Sequence, residues 1–192
     1  GRNSTEAHKK LDPVEQSIST SLRNFIWGVD DDTPASVLGQ ILTKAGLTIA
    51  TMESMTGGLI GSAITDTPGS SAYYTGGFIT YQTQMKNDLG VPNEIIEAYG
   101  VISPEVALSM AKRAIELTKS DVGLSITGIA GPTSLDSKDS GTYYIGIQSK
   151  DHNLTIEGTF RSNRTNIKLR ATTHAIIEVI KFLRSVKALS ID

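Results

Sequence analysis

The sequence predicts a layered α/β domain with a mixed sheet, preceded by an N-terminal helical arm. Short apolar stretches of strand length alternate with segments of helical period through most of the chain. Two helix entries carry complete start signals, Thr33–Pro34 and Ser103–Pro104. Near the C-terminus TYYIGIQ and NLTIEGTF, joined by SKDHN, alternate in polarity as an antiparallel hairpin does.

Taken in order, residues 1–12 are polar and aperiodic and are expected to fray. PVEQSISTSLRNFIWG places Val14, Ile18, Leu22, Ile26 and Trp27 on one helix face. The acidic break VDDDT precedes PASVLGQILTKAG, a helix with Thr33 as cap, Pro34 in its first turn and Gly46 as its stop. LTIAT is a short strand, GGLIGSAIT a short helix, PGSSAYYTG a loop and GFITYQ a strand. TQMKNDLG supplies one or two helical turns. After Ser103, the spacing of Val106, Met110, Ala114 and Leu117 predicts a long helix. DVGLSIT is a strand and GIAGPTSLDSKDSG a long loop before the hairpin. The last helix starts near Asn166, with Ile176, Val179, Ile180 and Leu183 on its apolar face. No internal repeat is present. The expected boundary lies near residue 32, with 1–32 an arm from a neighbouring region and 33–192 the domain.

Composition narrows the function. The 192 residues are 39% hydrophobic and 20% charged, as in a globular domain. A net charge of −2 argues against binding nucleic acid by neutralising phosphates. With no cysteine there is no disulfide, thiolate nucleophile or cysteine-ligated zinc. No segment approaches the ~18 consecutive apolar residues of a membrane span, and no apolar signal core is present, so no membrane partner and a cytoplasmic setting are expected. The chain opens on Gly1, as a piece of a longer protein would.

Neither G-x-x-x-x-G-K-[ST] nor G-x-G-x-x-G occurs, and His8, His152 and His174 share no metal-ligand spacing. GIAG at 128–131 matches a nucleic-acid GXXG clamp, but its flanks are not basic. Two loops stand out because both follow strands, and ligands of open α/β sheets collect beyond the carboxyl ends of strands. They are ESMTGG (53–58) and TGIAGP (127–132). The first opens a helix, so its N–H groups suit a phosphate or an oxyanion. The simpler reading is that Ser54 or Thr56 caps that helix and Gly57 and Gly58 make the turn. A nucleophilic serine here would need a base, and lysine is the alternative to the scarce histidines. Tyr81 ends a strand and Lys86 follows five residues later; taken alone, Lys86 reads as a solvated surface lysine.

The stretches ESMTGGLIGSAITDTPGSSAYYTGGFITYQTQMK, YGVISPEVALSMA, SITGIAGP and GTYYIGIQ, in this order, resemble the C-terminal domain of the competence/damage-inducible CinA family over residues 33–185 or so. That domain also occurs alone in PncC-type nicotinamide mononucleotide deamidases. IWGVDDDTPASVLGQIL is similar to the linker joining this domain to the rest of longer members, which implies a missing nucleotide-pyrophosphatase-type domain upstream. The resemblance implies an amidohydrolase that acts without metal or organic cofactor on a small mononucleotide, in a homodimer or larger homo-oligomer. It makes Ser54 the nucleophile, with Tyr81 and Lys86 completing a Ser–Tyr–Lys constellation. Thr56, Gly57 and Gly58 would offer N–H groups to an oxyanion. Thr127 and Gly128 would line the pocket, and Arg164 would meet the substrate, with TGIAGP and Arg164 as candidates for its phosphate. For this chemistry Lys86, ordinarily near 10.4, must titrate far lower, through burial or a nearby cation.

The chain departs from the family pattern at Met55, where a small residue is usual, and at Gln82 and Thr83, which replace Ser–Asn. Asn163 stands for an aspartate, and the loop after Pro132 lacks a glycine pair. Thr83 is expected still to cap the helix carrying Lys86. The alternatives to deamidation are a non-catalytic nucleotide-binding or oligomerisation module, and hydrolysis of another amide.

Overall fold

In the computed structural model, which describes residues 3–22, 25–134 and 138–186, five strands form one mixed sheet between two layers of helices. Strands β1 (Ile49–Glu53), β2 (Tyr74–Ile79), β3 (Val122–Gly128), β4 (Thr142–Gln148) and β5 (Asn153–Thr159) are ordered β2-β1-β3-β4-β5. The first three run parallel; β4 and β5 are the antiparallel hairpin. The helices are α1 (Ser4–Leu22), α2 (Pro34–Ala45), α3 (Leu59–Thr65), α4 (Thr83–Asp88), α5 (Asn93–Tyr99), α6 (Pro104–Thr118) and α7 (Arg164–Ser185).

Strand alternation sends side chains into both layers. Val122, Leu124 and Ile126 of β3 and Tyr143, Ile145 and Ile147 of β4 meet Leu38 and Leu42 of α2, Ile60 of α3 and Val179 of α7. On the other face Ala50 and Met52 of β1 meet Val106, Met110 and Ala114 of α6. There α6 lies directly on the backbone of the sheet. A methyl at Gly123 would sit 2.0 Å from the Ala111 carbonyl, and one at Gly146 would sit 2.3 Å from that of Ala107.

The local signals work where they are complete. Thr33 and Ser36 form a reciprocal cap on α2, which Gly46 ends in the left-handed region at φ 64°. Ser103 caps α6 by accepting from the Val106 N–H. Elsewhere tertiary contacts shift the boundaries. β2 begins within the predicted loop and ends two residues before Tyr81, because it is held by parallel pairing with β1. α5, in a stretch with no predicted element, forms after Pro92 and buries Ile96.

The arm also differs from expectation. α1 starts inside the stretch predicted to fray, where Asn3 accepts from the Glu6 N–H, and it passes through Pro13. Residues 23 and 24 of the predicted helix lie outside the described ones. Trp27 then packs against the core instead of extending α1, and its carbonyl accepts from Arg184 of α7. Leu11, Val14, Ile18 and Leu22 all remain exposed.

Because α6 contacts backbone at Gly123, Gly123→Ala should lower unfolding stability by ~1–3 kcal/mol through overpacking. Urea denaturation monitored by circular dichroism checks this.

Candidate functional site

The chain leaves β1 for β2 on one side and later returns to β3 on the other, so a crevice opens at the carboxyl ends of these three strands. A cavity of about 480 Å³ lies there, bordered by Ser54, Tyr81, Lys86, Thr127, Gly128 and Arg164 among others. Six of the nine residues expected at a site thus line one space.

Ser54 is the first residue past β1. Its N–H continues the sheet ladder to the Ile126 carbonyl at 2.9 Å, and its own carbonyl accepts from Gly57 at 3.1 Å. On the other side of β1 the Thr80 N–H donates to the Glu53 carbonyl at 2.7 Å. The strand ends on both sides of Ser54 are therefore fixed by backbone.

Lys86 enters from α4. That helix is capped at Gln82 and lacks a side-chain cap bond, so Thr83, its first residue, does not have the capping role expected of it. Lys86 is nevertheless 1% exposed. Its Nζ donates to the Thr80 carbonyl at 2.7 Å and lies 3.1 Å from Ser54 Oγ. Among the described residues it forms no ion pair. Burial, which disfavours the ammonium form, pushes it from its ordinary 10.5 down to about 8. The reading of an isolated surface lysine is corrected: folding removes this side chain from water.

Tyr81 stands apart from that pair. It is 56% exposed, and its hydroxyl accepts from Arg164 Nη2 at 2.6 Å. Arg164 Nη1 donates to the Gly131 carbonyl at 2.7 Å. Residues distant in sequence thus meet at the cavity rim, and among the described residues Tyr81 makes no hydrogen bond to Ser54 or Lys86. Thr127 donates to the Val101 carbonyl at 3.0 Å, tying β3 to the loop before α6. Gly128 has no room for a side chain: a methyl there would lie 2.6 Å from Met55 Sδ. Met55, the next residue after Ser54, is buried and borders the cavity.

Thr56, Gly57 and Gly58 do not border the cavity. The Gly57 N–H is bonded to the Ser54 carbonyl and the Gly58 N–H to Glu53, so neither is available for the oxyanion role expected of it. The Thr56 side chain is buried, its hydroxyl donating to Glu53 at 2.6 Å. The backbone N–H groups of Met55 and Thr56 make no hydrogen bond among the described residues. Glu53 itself escaped the sequence reading. Its signal was a carboxylate closing an otherwise uncharged strand just before a helix start, where negative charge is favourable.

His174 belongs to a different network, on α7. Its Nδ1 lies 2.7 Å from the buried Tyr143 hydroxyl and its Nε2 3.3 Å from Glu178, and burial lowers its pKa. Among the described residues no group of three or more His, Asp or Glu is placed to hold a metal, and no helix is long and apolar enough to cross a membrane.

The fold and crevice define an α/β domain with a buried serine–lysine pair at a topological switch point. Residues 31–183 match the model of the CinA C-terminal domain, and the chain belongs to that family. It is 37% identical over 187 residues to a putative competence-damage inducible protein of Halothermothrix orenii, covering 96% of this chain and 45% of that protein. A second such protein, from Moorella thermoacetica, is 40% identical over 185 residues, covering 95% and 45%. The chain thus spans less than half the length of these curated relatives. Among solved structures, competence/damage inducible protein CihA from Agrobacterium tumefaciens is similar at TM-score 0.73 and 32% identity, over 82% of this chain and 99% of that one. A CinA superfamily protein from Escherichia coli aligns at TM-score 0.76 and 29% identity, over 84% and 98%.

Direct titration of the Lys86 ε-group by NMR should give a midpoint near 8. A midpoint above about 10, where exposed lysines titrate, would contradict the burial seen here.

Proposed function

We propose that this domain is a carboxamide hydrolase whose substrate is nicotinamide mononucleotide, giving nicotinate mononucleotide and ammonia. The observation that carries the proposal is the buried Lys86 amine 3.1 Å from Ser54 Oγ at the edge of a cavity. A lysine lowered to about 8 is neutral in roughly one molecule in ten at pH 7, enough to act as a base.

In the proposed cycle Lys86 Nζ takes the Ser54 hydroxyl proton while Oγ bonds to the carboxamide carbon. The carbonyl π electrons move onto oxygen, where the N–H of Met55, a residue that borders the cavity and whose N–H has no partner among the described residues, is the candidate donor. Lys86 returns the proton to the amide nitrogen, the C–N bond breaks and ammonia leaves. Water, deprotonated by Lys86, then attacks the ester carbon, and the Ser54–acyl bond breaks with the proton restored to Oγ. Arg164, a cation with no carboxylate partner among the described residues, is suited to the substrate phosphate at the rim. Tyr81, bonded to Arg164, would orient that cation, in place of the direct assistance to Lys86 that the family resemblance implies.

Ser54→Ala should reduce ammonia release by at least about 10³-fold. For the wild type, kcat/KM should rise with pH as Lys86 loses its proton and level off above about 8. No ammonia release by the wild type at any pH would favour a nucleotide-binding module instead. Arg164→Ala should raise KM about tenfold or more, since a charged hydrogen bond contributes ~1.5–3 kcal/mol, while changing kcat much less. Steady-state kinetics with the mononucleotide separate the two parameters.

A further inference from the structure

Glu53 is a buried carboxylate that the proposed cycle leaves unused. It is 2% exposed and forms no ion pair among the described residues. Its carboxylate instead collects donors from the chain just beyond Ser54. Oε2 accepts from Thr56 Oγ1 at 2.6 Å, from the Gly58 N–H at 3.0 Å and from the Ile60 N–H at 3.1 Å. Oε1 accepts from the Gly61 N–H at 2.8 Å. These donors include helix N-terminal groups that would otherwise lack partners, and together they offset the desolvation of a buried charge. The cradle is fitted closely: a methyl at Gly61 would lie 2.7 Å from the Tyr74 hydroxyl and 3.6 Å from Glu53 Oε1.

We infer that Glu53 is a positioning residue, which ties the turn after Ser54 to the start of α3 and so holds the serine hydroxyl against Lys86. The inference rests on Ser54 being the reactive hydroxyl. The Glu53 main chain is fixed by β1, and Ser54 is the next residue. The far side of the turn is fixed to the same residue through its side chain. The loop Ser54–Gly58 is thereby closed by one carboxylate. The Met55 and Thr56 N–H groups, unlike those of Gly57 and Gly58, have no partners among the described residues. Glu53→Gln replaces one acceptor oxygen with a donor that faces other donors, and the turn must shift to separate them. Misplacement by about 1 Å lowers a rate roughly 100-fold.

The test compares wild type, Glu53→Gln, Glu53→Asp and the core variant Val179→Ala, each corrected for folded fraction by thermal melting. Two rates are measured: ammonia release, and labelling of Ser54 by a fluorophosphonate, which needs no substrate assignment. Glu53→Gln is expected to lower both about 100-fold, with KM changed less than about threefold and the pH limb near 8 retained. Glu53→Asp, which keeps the charge, should recover part of the loss, and Val179→Ala should melt lower with both rates kept. Normal ammonia release by Glu53→Gln overturns the positioning role while leaving the deamidase reading intact. If the wild type releases no ammonia, that reading fails and labelling decides: slower labelling of Glu53→Gln upholds the role, and equal labelling of the two proteins, at any level, overturns it.

Discussion

Everything at the crevice depends on β1 being hydrogen-bonded on both sides to its last residue and beyond. The Ser54 N–H reaches Ile126 of β3, and the Glu53 carbonyl receives the Thr80 N–H from the end of β2. These bonds belong to the parallel ladder, so the site inherits the rigidity of the sheet. Thr80 also provides the carbonyl that holds Lys86. The serine, its amine neighbour and the acceptor that orients that amine are therefore fixed by one strand and its two partners.

The lowered pKa of Lys86 follows from dehydration rather than from charge partners. Moving Lys86 from its ordinary titration range to about 8 is a difference on the order of 3 kcal/mol between its two protonation states. Burial supplies it. A carboxylate beside the amine would have acted in the opposite direction, and the nearby Glu53 is turned instead toward backbone donors of α3. Two buried ionisable groups, Glu53 adjacent in sequence and Lys86 brought in by folding, thus flank the same serine with separate partners. With no ion-pair partner at the amine among the described residues, burial lowers the Lys86 pKa unopposed.

The sequence was most informative where a residue's role is local. Thr33, Ser103 and Gly46 announced their helix ends, and TYYIGIQ announced a strand over the residues that form one. β2 was misplaced because Tyr74, Thr75 and Gly76 read as loop, whereas pairing with β1 draws them into the strand; within it Gly77 is demanded by Thr51, whose Oγ1 would lie 2.2 Å from a methyl there. α1 was misread at Pro13, which looks like a helix start and instead lies inside one. At the site, Ser54 and Lys86 are 32 residues apart, and only folding brings them together. Pattern alone favoured a cap and a surface lysine; the family resemblance selected both residues. Glu53 was missed because most of its partners are backbone amides, which any residue type but proline can supply.

The bridge from Gly131 through Arg164 to Tyr81 has a mechanical meaning. It links the loop after β3, the first turn of α7 and the segment after β2 with a single side chain. A guest that draws the guanidinium toward itself must loosen at least one of these tethers. Occupancy of the crevice would then be felt at the start of a 22-residue helix whose far end grips the arm carrying Trp27.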